Sequence, residues 1–423
     1  MLRLLQKLIR MEWPVRLAAP LIGKFNPFLP EFRRDPYPAY RRLRETHPVY
    51  FSPALRGYVL TRHRDVVAVL SDARFSVNRL QANVFRKLNP FGSLRPDFAE
   101  AILRNLLMLD APDHTRLRKL VVKAFTPRVV ERLRGRVEVL VDELLDAVEA
   151  RGEMDLIRDF ASPLPVIVIA EMLGIPTEDR GDLKVWSDDL ATLLDPLQAE
   201  NGLAGAESAY GQIAAYMSPI FAARRQEPRD DLISGLVGAR DGSDALRDAE
   251  LLSLCMLILA AGHETTTSLI GNAVLALLQH PEQRRRLVEE PALMRRAVEE
   301  FLRYDSPVQL TDRVATEELE IDGKRVRKGE LVGVILGAAN RDPEVFRDPD
   351  RLDFDRPDVA HVAFGQGAHF CLGAQLARLE AEIALGKLMQ RFPRFDGPRE
   401  PPSRKTSIVL RGPTSLPLQL QGA

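Results

Sequence analysis

The stretch that decides the reading is FGQGAHFCLGAQLARLE, Phe364–Glu380, where a single cysteine, Cys371, stands between a glycine-punctuated loop and an expected helix start. Gly365, Gly367 and Gly373 let the backbone turn tightly and approach a flat ligand without Cβ clashes. A loop of this kind can aim its amide N–H groups inward. If they point at the Cys371 sulfur, and a helix beginning near Leu372 presents its positive end, the thiolate is favoured over the thiol. A thiolate held this way is ready to bind a metal. Zinc sites and iron-sulfur clusters take three or four Cys or His ligands, whereas this stretch offers one cysteine and one histidine, His369. A single thiolate suits haem iron, whose remaining ligands come from the porphyrin. The plainer alternative is a buried packing cysteine, the usual role of a lone Cys in an intracellular chain.

The spacing Phe364, Gly367, His369, Cys371, Gly373 resembles the haem-binding signature of the cytochrome P-450 family, the haem-thiolate monooxygenases. Five matched positions outweigh the packing alternative. The resemblance makes Cys371 the iron ligand and places Phe364, Gly365, His369 and Gly373 against haem b (iron protoporphyrin IX), with Phe364 shielding the sulfur.

At 423 residues, 45% of them hydrophobic, the chain can bury a substantial core. Fifty-nine Lys and Arg balance 59 Asp and Glu, so no overall charge recruits nucleic acid. Two cysteines, Cys255 and Cys371, argue against a disulfide framework and fit a reducing, cytoplasmic setting. No repeat stands out, and 30 scattered prolines mark many short connections. These proportions, with the resemblance, predict one mainly helical domain with small β-sheets over 35–423, a triangular body holding haem between the oxygen-binding helix and the cysteine loop.

Residues 1–34 form a separate extension in this reading. MLRLLQKLIRMEW sets Leu2, Leu5, Leu8, Ile9 and Met11 against Arg3, Lys7 and Arg10, a short basic amphipathic helix. Charges interrupt every apolar run well short of the roughly 18 residues a membrane span needs, and no signal-peptide core follows. Peripheral membrane contact through residues 1–23 is the alternative to packing on the body. From Asp35 the pattern gives a helix ending near His47, then paired strands Val49–Phe51 and Tyr58–Leu60 around Gly57. Residues 75–108 read as irregular, with Phe91, Leu94 and Phe98 as apolar contacts, and by resemblance they shape the substrate pocket.

In DAPDHTRLRKLVVKAF, Asp110 or Asp113 is placed to cap a helix beginning near His114. His114 and Arg118 then share one side, and Arg116, Lys119 and Lys123 fall on the other. By resemblance the first pair, with Arg313, holds haem propionates. The outer three are either a docking face for an acidic electron-transfer protein or an ordinary solvated face. Residues 129–240 read as successive amphipathic helices, among them Val129–Glu149 and Leu164–Met172, with no catalytic constellation and with Trp186 and Phe221 as core.

The run Leu251–Leu278 has the pattern of a buried helix, yet its middle holds Gly262, His263, Glu264, Thr265, Thr266 and Thr267 where a core helix prefers Leu or Ala. Threonine hydroxyls can bond back to carbonyls a turn earlier and glycine can loosen the helix, so a local groove is expected. This is similar to the family's oxygen-binding motif. The resemblance has Thr265 hydrogen-bond the dioxygen and Glu264 relay protons toward it, with Ala261 beside the haem. A solvent-linked carboxylate next to a hydroxyl is what a proton relay requires. A polar kink without chemistry is the alternative.

Glu300 and Arg303 face each other three apart on a helix, a spacing that alone signifies only a surface pair. In the family this pair is buried and completed by an arginine before the cysteine loop, a place matched by Arg356. LEIDGKRVRKGELVGVIL predicts hairpin strands forming a second sheet lobe, and Ser407–Leu410 with Leu416–Leu420 a closing strand pair. Leu257, Ala261, Val308, Leu310 and Ile408 are the expected substrate-pocket residues.

The resemblance spans Asp35 to Leu420, with three motifs in family order. It implies insertion of one atom of dioxygen into a hydrophobic organic substrate by hydroxylation or epoxidation. Nothing resembles a flavin or ferredoxin module, so electrons come from a separate ferredoxin or flavodoxin and its NAD(P)H reductase. Two alternatives stay open, a peroxygenase driven by hydrogen peroxide and a non-catalytic haem-thiolate sensor. Substrate identity is not legible, because the pocket-forming loops are the least predictable parts of such a chain.

Overall fold

A computed structural model describes residues 23–53, 55–84, 94–193, 203–242, 244–357 and 360–421. Its axis is one helix, and the other elements pack around it. Those used below are α1 (Tyr37–Thr46), β1 (Val49–Ser52), β2 (Gly57–Leu60), α2 (His63–Ser71), β3 (Phe75–Ser76), α3 (Asp113–Val121), α4 (Arg134–Glu149), β4 (Glu153–Asp155), α5 (Pro163–Leu173), α6 (Arg180–Ala191), α7 (Leu203–Gln226), β5 (Arg240–Asp241) and β6 (Asp244–Ala245). Then come α8 (Asp248–Gln279), α9 (Met294–Tyr304), β7 (Leu310–Ala315), β8 (Leu319–Ile321), β9 (Lys324–Val326), β10 (Leu331–Ile335), α10 (Ala374–Arg391), β11 (Arg394–Asp396) and β12 (Pro417–Gln421).

The 32 residues of α8 make a rod about 48 Å long. The Glu250 carboxylate accepts the Arg247 backbone N–H at 2.9 Å to start it, and His280 before Pro281 stops it. It is apolar nearly all round and is covered by α5, α6, α7 and α10. By length and composition it is apolar enough to cross a bilayer, yet it is the buried central helix of this body. The helix stays unbroken through Gly262, contrary to the expected loosening. A Cβ there would lie 2.4 Å from Ile169 Cδ1, so the glycine serves the close approach of α5.

The main sheet has the order β1-β2-β10-β7-β3, with β2 and β10 parallel and the other pairs antiparallel. Gly57 permits the parallel pairing, since a Cβ would meet Leu331 O at 2.4 Å. Two expectations are corrected here. Leu331–Ile335, buried at every position, joins the first sheet rather than building a second lobe, and only β8 and β9 form a separate hairpin. β12 pairs with β11 and β4, not with 407–410, because its alternating Leu418 and Leu420 point into the core beside Met154 and Phe395. The 407–410 segment instead meets Val308 through the Val308↔Leu410 bridge.

The expected amphipathic helix over 2–11 and Phe91 lie outside the described residues. Phe25 is buried among Tyr37, Tyr40 and Leu43, so the described part of the N-terminal segment packs on the body. Within 75–108, Pro96–Leu103 is a helix rather than irregular chain, held by buried Phe98 against Tyr210. Neither Asp110 nor Asp113 caps α3. The Asp110 carboxylate accepts from Ser76 Oγ and from Val77 N at 3.0 Å instead.

Candidate active site

The cysteine loop folds on two left-handed glycines, Gly365 at φ +73° and Gly367 at φ +71°. At Gly367 a Cβ would also sit 2.8 Å from Leu70 O, so the loop is pressed onto the end of α2. Gly373 differs from the expectation: its φ is −85° and a Cβ there meets nothing. What it contributes is its N–H, which bonds the Cys371 sulfur. The Cys371 N–H donates to Phe364 O at 2.9 Å, and the Phe364 ring lies between His361, Phe370 and the Arg378 guanidinium, which is 4.6 Å from its centroid. Cys371 has an exposed surface, but its surroundings are dense enough that burial pushes the thiol up, opposed by the Gly373 N–H, Arg118 and Arg378. The two observations agree if the sulfur faces a recess rather than open solvent. α10 begins three residues later, at Ala374.

Beside the loop lies a group of cation-forming side chains. His114 on α3 stacks on His369 with centroids 4.0 Å apart. Arg118, one turn along α3, donates to Phe370 O at 2.6 Å. Arg313 on β7 is buried and donates to its neighbour's carbonyl, Asp312 O, at 2.8 Å. Burial and the nearby Arg79 push Arg313 down to about 10. Burial, His114 and the arginines push His369 down to about 3, and His114 and Arg118 are lowered chiefly by burial. The Nε2 of His114 is buried with no hydrogen-bond partner. An acceptor placed beside the loop would satisfy that nitrogen.

In the middle of α8, Leu257, Ile258, Ala261, Gly262, Glu264 and Thr265 are half-buried, while Leu259, Ala260, His263 and the run from Thr266 to Leu277 are buried. Thr265 Oγ1 donates back to Ala261 O at 2.8 Å and Thr266 Oγ1 to Gly262 O at 3.2 Å, the back-bonding the sequence predicts. Glu264 is ion-paired with Lys405. Its neighbour His263 is buried, with Nδ1 2.7 Å from Ser187 Oγ and Nε2 3.0 Å from Asp188 Oδ1, while Glu264 Oε1 is 3.8 Å away. Residues 129–240 therefore do contribute to this site, through Ser187 and Asp188 on α6. One more group escaped the sequence reading: Glu380 on α10 is fully buried and bonds Thr266, its Oε1 has no partner, and burial pushes it up to about 8.

The Glu300, Arg303 and Arg356 triad is assembled. Arg303 grips both Glu300 oxygens at 2.7 Å, and Arg356 Nε reaches Oε2 at 3.3 Å. Asp353 N–H donates to Glu300 Oε1 at 2.9 Å, and Arg303 also donates to the carbonyls of Asn340, Pro349 and Arg351. All three side chains are buried, so this is not the surface pair its spacing alone suggests.

A family model described as cytochrome P450 matches residues 43–419. The chain belongs to the cytochrome P450 family. It is 43% identical over 396 residues to Cytochrome P450 107B1 of Saccharopolyspora erythraea, covering 92% of this chain and 96% of that one. It is likewise 43% identical over 366 residues to the biotin biosynthesis cytochrome P450 of Bacillus subtilis, covering 86% and 90%. Among solved structures, P450BioI in complex with an acyl carrier protein ligated to hexadec-9Z-enoic acid superposes with a TM-score of 0.85 at 40% identity, over 92% of this chain and 99% of that one. The P450 is thus a haem-dependent monooxygenase with iron protoporphyrin IX as its cofactor.

One site expectation is corrected. Leu310 is buried among Tyr40, Val59 and Ile335, so it packs in the sheet core, whereas Val308 and Ile408 stay half-buried. The outer cations of α3 are not free: Arg116 pairs with Asp244 at 3.2 Å and with Glu250, Lys119 pairs with Asp241 at 2.7 Å, and Lys123 Nζ donates to Arg240 O. The β5–β6 hairpin supplies acids that the helix pattern cannot announce. A cavity of about 680 Å³ lined by Leu275, Leu278 and Arg404 begins about 15 Å along α8 from Thr265, and it holds none of the predicted site residues.

Proposed function

We propose that Cys371 would bind the haem iron through its thiolate and that His114, Arg118, Arg313 and His369 would hold its propionates. The observation that carries this is the group of cation-forming side chains beside Cys371, which includes a buried, partnerless His114 Nε2 and whose nearby carboxylates are engaged elsewhere, Asp110 by Ser76 and Val77 N and Asp312 by Arg79. Two propionates are the missing anions. Phe364, Gly365 and Gly373 line the sulfur side, and Ala261 the α8 side. Haem bound there would supply the redox chemistry of a monooxygenation, in which dioxygen, two electrons and two protons give oxygenated substrate and water.

The chain's own residues manage protons and position. Thr265, its hydroxyl held against Ala261 O, offers a hydrogen bond at the cleft. Glu264, next in line and partly exposed, brings protons to it. The Glu300–Arg303–Arg356 triad fixes the segment leading to the cysteine loop and does no chemistry. Leu257, Ala261, Val308 and Ile408 give the cleft an apolar wall for a hydrophobic substrate. Electrons come from a separate ferredoxin or flavodoxin and its NAD(P)H reductase. Two free cysteines fit a cytoplasmic setting. The P450BioI complex makes acyl chains, free and carrier-linked, the first substrates to test. For residues 1–23, deletion followed by liposome co-sedimentation tests membrane contact.

The experiment for the relay is reconstituted turnover with reductase, ferredoxin and NADPH, set against turnover with hydrogen peroxide, in wild type, Thr265→Ala and Glu264→Gln. Loss of product and gain of peroxide in both variants, with peroxide-driven turnover retained, is the expected outcome. Equal product in all three, or turnover with peroxide alone, contradicts it in favour of the peroxygenase.

A further inference from the structure

The cavity of about 680 Å³ at the far end of α8 takes no part in the reaction described above, and its size is that of a small-molecule site. The end of α8, the start of the helix Pro281–Glu289, the end of α9 and the 395–404 segment wall it. Leu275, Leu278 and Phe395 make part of its lining apolar. Elsewhere six arginines face four carboxylates, an excess of positive charge.

Two of the enclosed arginines are compensated. Arg411 donates to Asp305 Oδ1 at 2.7 Å and to the carbonyls of Arg33 and Arg34, and Arg341 donates to Asp350 Oδ1 at 3.1 Å and to Tyr304 O. Burial works against both charges, but Asp305 and the facing tyrosines outweigh it and hold both above the usual arginine value. Arg404 and Arg284 are not so served. Arg404, 13% exposed, reaches Asp305 only through Nη2 at 3.4 Å and otherwise donates to Asn272 Oδ1 at 3.1 Å, because Tyr37 and Arg411 already occupy that carboxylate. Among the described residues Arg284 has no carboxylate within ion-pair distance; it donates to Phe395 O at 2.6 Å and lies 4.6 Å over the Phe395 ring. Burial lowers both guanidinium groups, and Asp305 and Asp396 respectively do not make up the difference. The other wall acids are placed elsewhere: Asp35 accepts the Tyr37 N–H, Asp396 faces Gln421, and Glu400 is exposed.

We propose that this cavity is a second small-molecule site, separate from the haem site, and that it takes an organic anion. A carboxylate or phosphate head sits on Arg284 and Arg404, and an apolar body rests on Leu275, Leu278 and Phe395. Guanidinium groups short of acid partners beside an apolar floor are what such a molecule requires. Because it joins the end of α8 to the 395–404 segment, its binding stabilises the fold.

The test titrates holoenzyme at low salt with phenyl phosphate, benzoate, inorganic phosphate and phenol by calorimetry, with the Soret band followed in parallel. Wild type is compared with Arg284→Gln, Arg404→Gln and a control, Arg347→Gln, whose side chain is 95% exposed outside the cavity; each is first checked for haem content and thermal midpoint. Phenyl phosphate or benzoate should bind one per chain, raise the thermal midpoint and leave the Soret band in place. Affinity should fall tenfold or more in Arg284→Gln and Arg404→Gln and stay unchanged in Arg347→Gln. The tighter of the two anions identifies the head group. Absence of saturable binding by either anion overturns the proposal, as does equal affinity in wild type and Arg284→Gln. Phenol or inorganic phosphate binding as tightly as the organic anions overturns it too, and so does a Soret shift that follows the same isotherm. Arg284 is only half-buried, so its variant decides the matter if Arg404→Gln fails to fold.

Discussion

Two groups of buried charges near the cysteine loop are built on opposite plans. In the Glu300–Arg303–Arg356 group, one carboxylate receives two guanidinium groups and a backbone N–H, and the remaining arginine protons go to carbonyls of the meander. The chain satisfies this group from within. In the His114–Arg118–Arg313–His369 group, positive or protonatable side chains crowd together, burial opposes their charge, and His114 Nε2 has no partner. The first group is closed within the chain, while the second, in the proposed reading, takes the haem propionates. Buried charges that are fully paired report on folding, and those left unpaired report on a ligand.

Mutation should separate the two plans. Arg303→Ala leaves Glu300 buried without its main partner and should cost about 3–5 kcal/mol in denaturant unfolding, in protein with and without haem alike. A loss confined to the haem-loaded form would erase the distinction. Arg313→Leu should do the reverse. Haem retention, followed by transfer to apomyoglobin, should weaken by about 1.5–3 kcal/mol, roughly ten- to hundredfold, while the haem-free protein unfolds at the same or higher denaturant.

Glu380 sharpens the comparison with a single buried acid. Its folded-state pKa is raised from 4.5 to about 8 by burial. Between those values the unfolded chain gives up the proton and the folded chain keeps it, so stability falls as pH rises through that window; below 4.5 both hold it, and above 8 both have lost it. Thermal midpoints of Glu380→Gln should match wild type near pH 4.5 and exceed it at pH 8, and an unchanged pH slope would speak against a neutral buried acid. The smallest effect is expected at Lys119→Ala. Its pair with Asp241 is solvent-exposed on both sides and should be worth less than about 1 kcal/mol by thermal melt.

How much of this could be read from the chain follows from how locally each feature is written. Cys371, the Glu300 and Arg303 spacing and the polar interruption of α8 are contiguous patterns, whereas Arg356 is legible only through the family resemblance. Ser187, Asp188 and Lys405 meet residues 263 and 264 only after folding, 76 and 141 positions apart, and no local period announces them. The misplaced strands have the same origin. Val332 and Val334 have the alternation of either sheet, and parallel pairing with β2 is decided by packing across more than 270 residues of chain. The place of Leu310 in the chain points to the pocket, but β7 turns it into the sheet core. Glu380 carried no signal, because a glutamate on an amphipathic helix ordinarily faces water.

The most direct test of the account is the absorption spectrum of the dithionite-reduced protein under carbon monoxide, wild type against Cys371→Ser. A strongly red-shifted Soret band in the wild type that disappears in the variant is the predicted result and fixes Cys371 as the thiolate ligand. A band like that of histidine-ligated haem in the wild type, or one unchanged by the substitution, would contradict the reading of the loop from which the site was built.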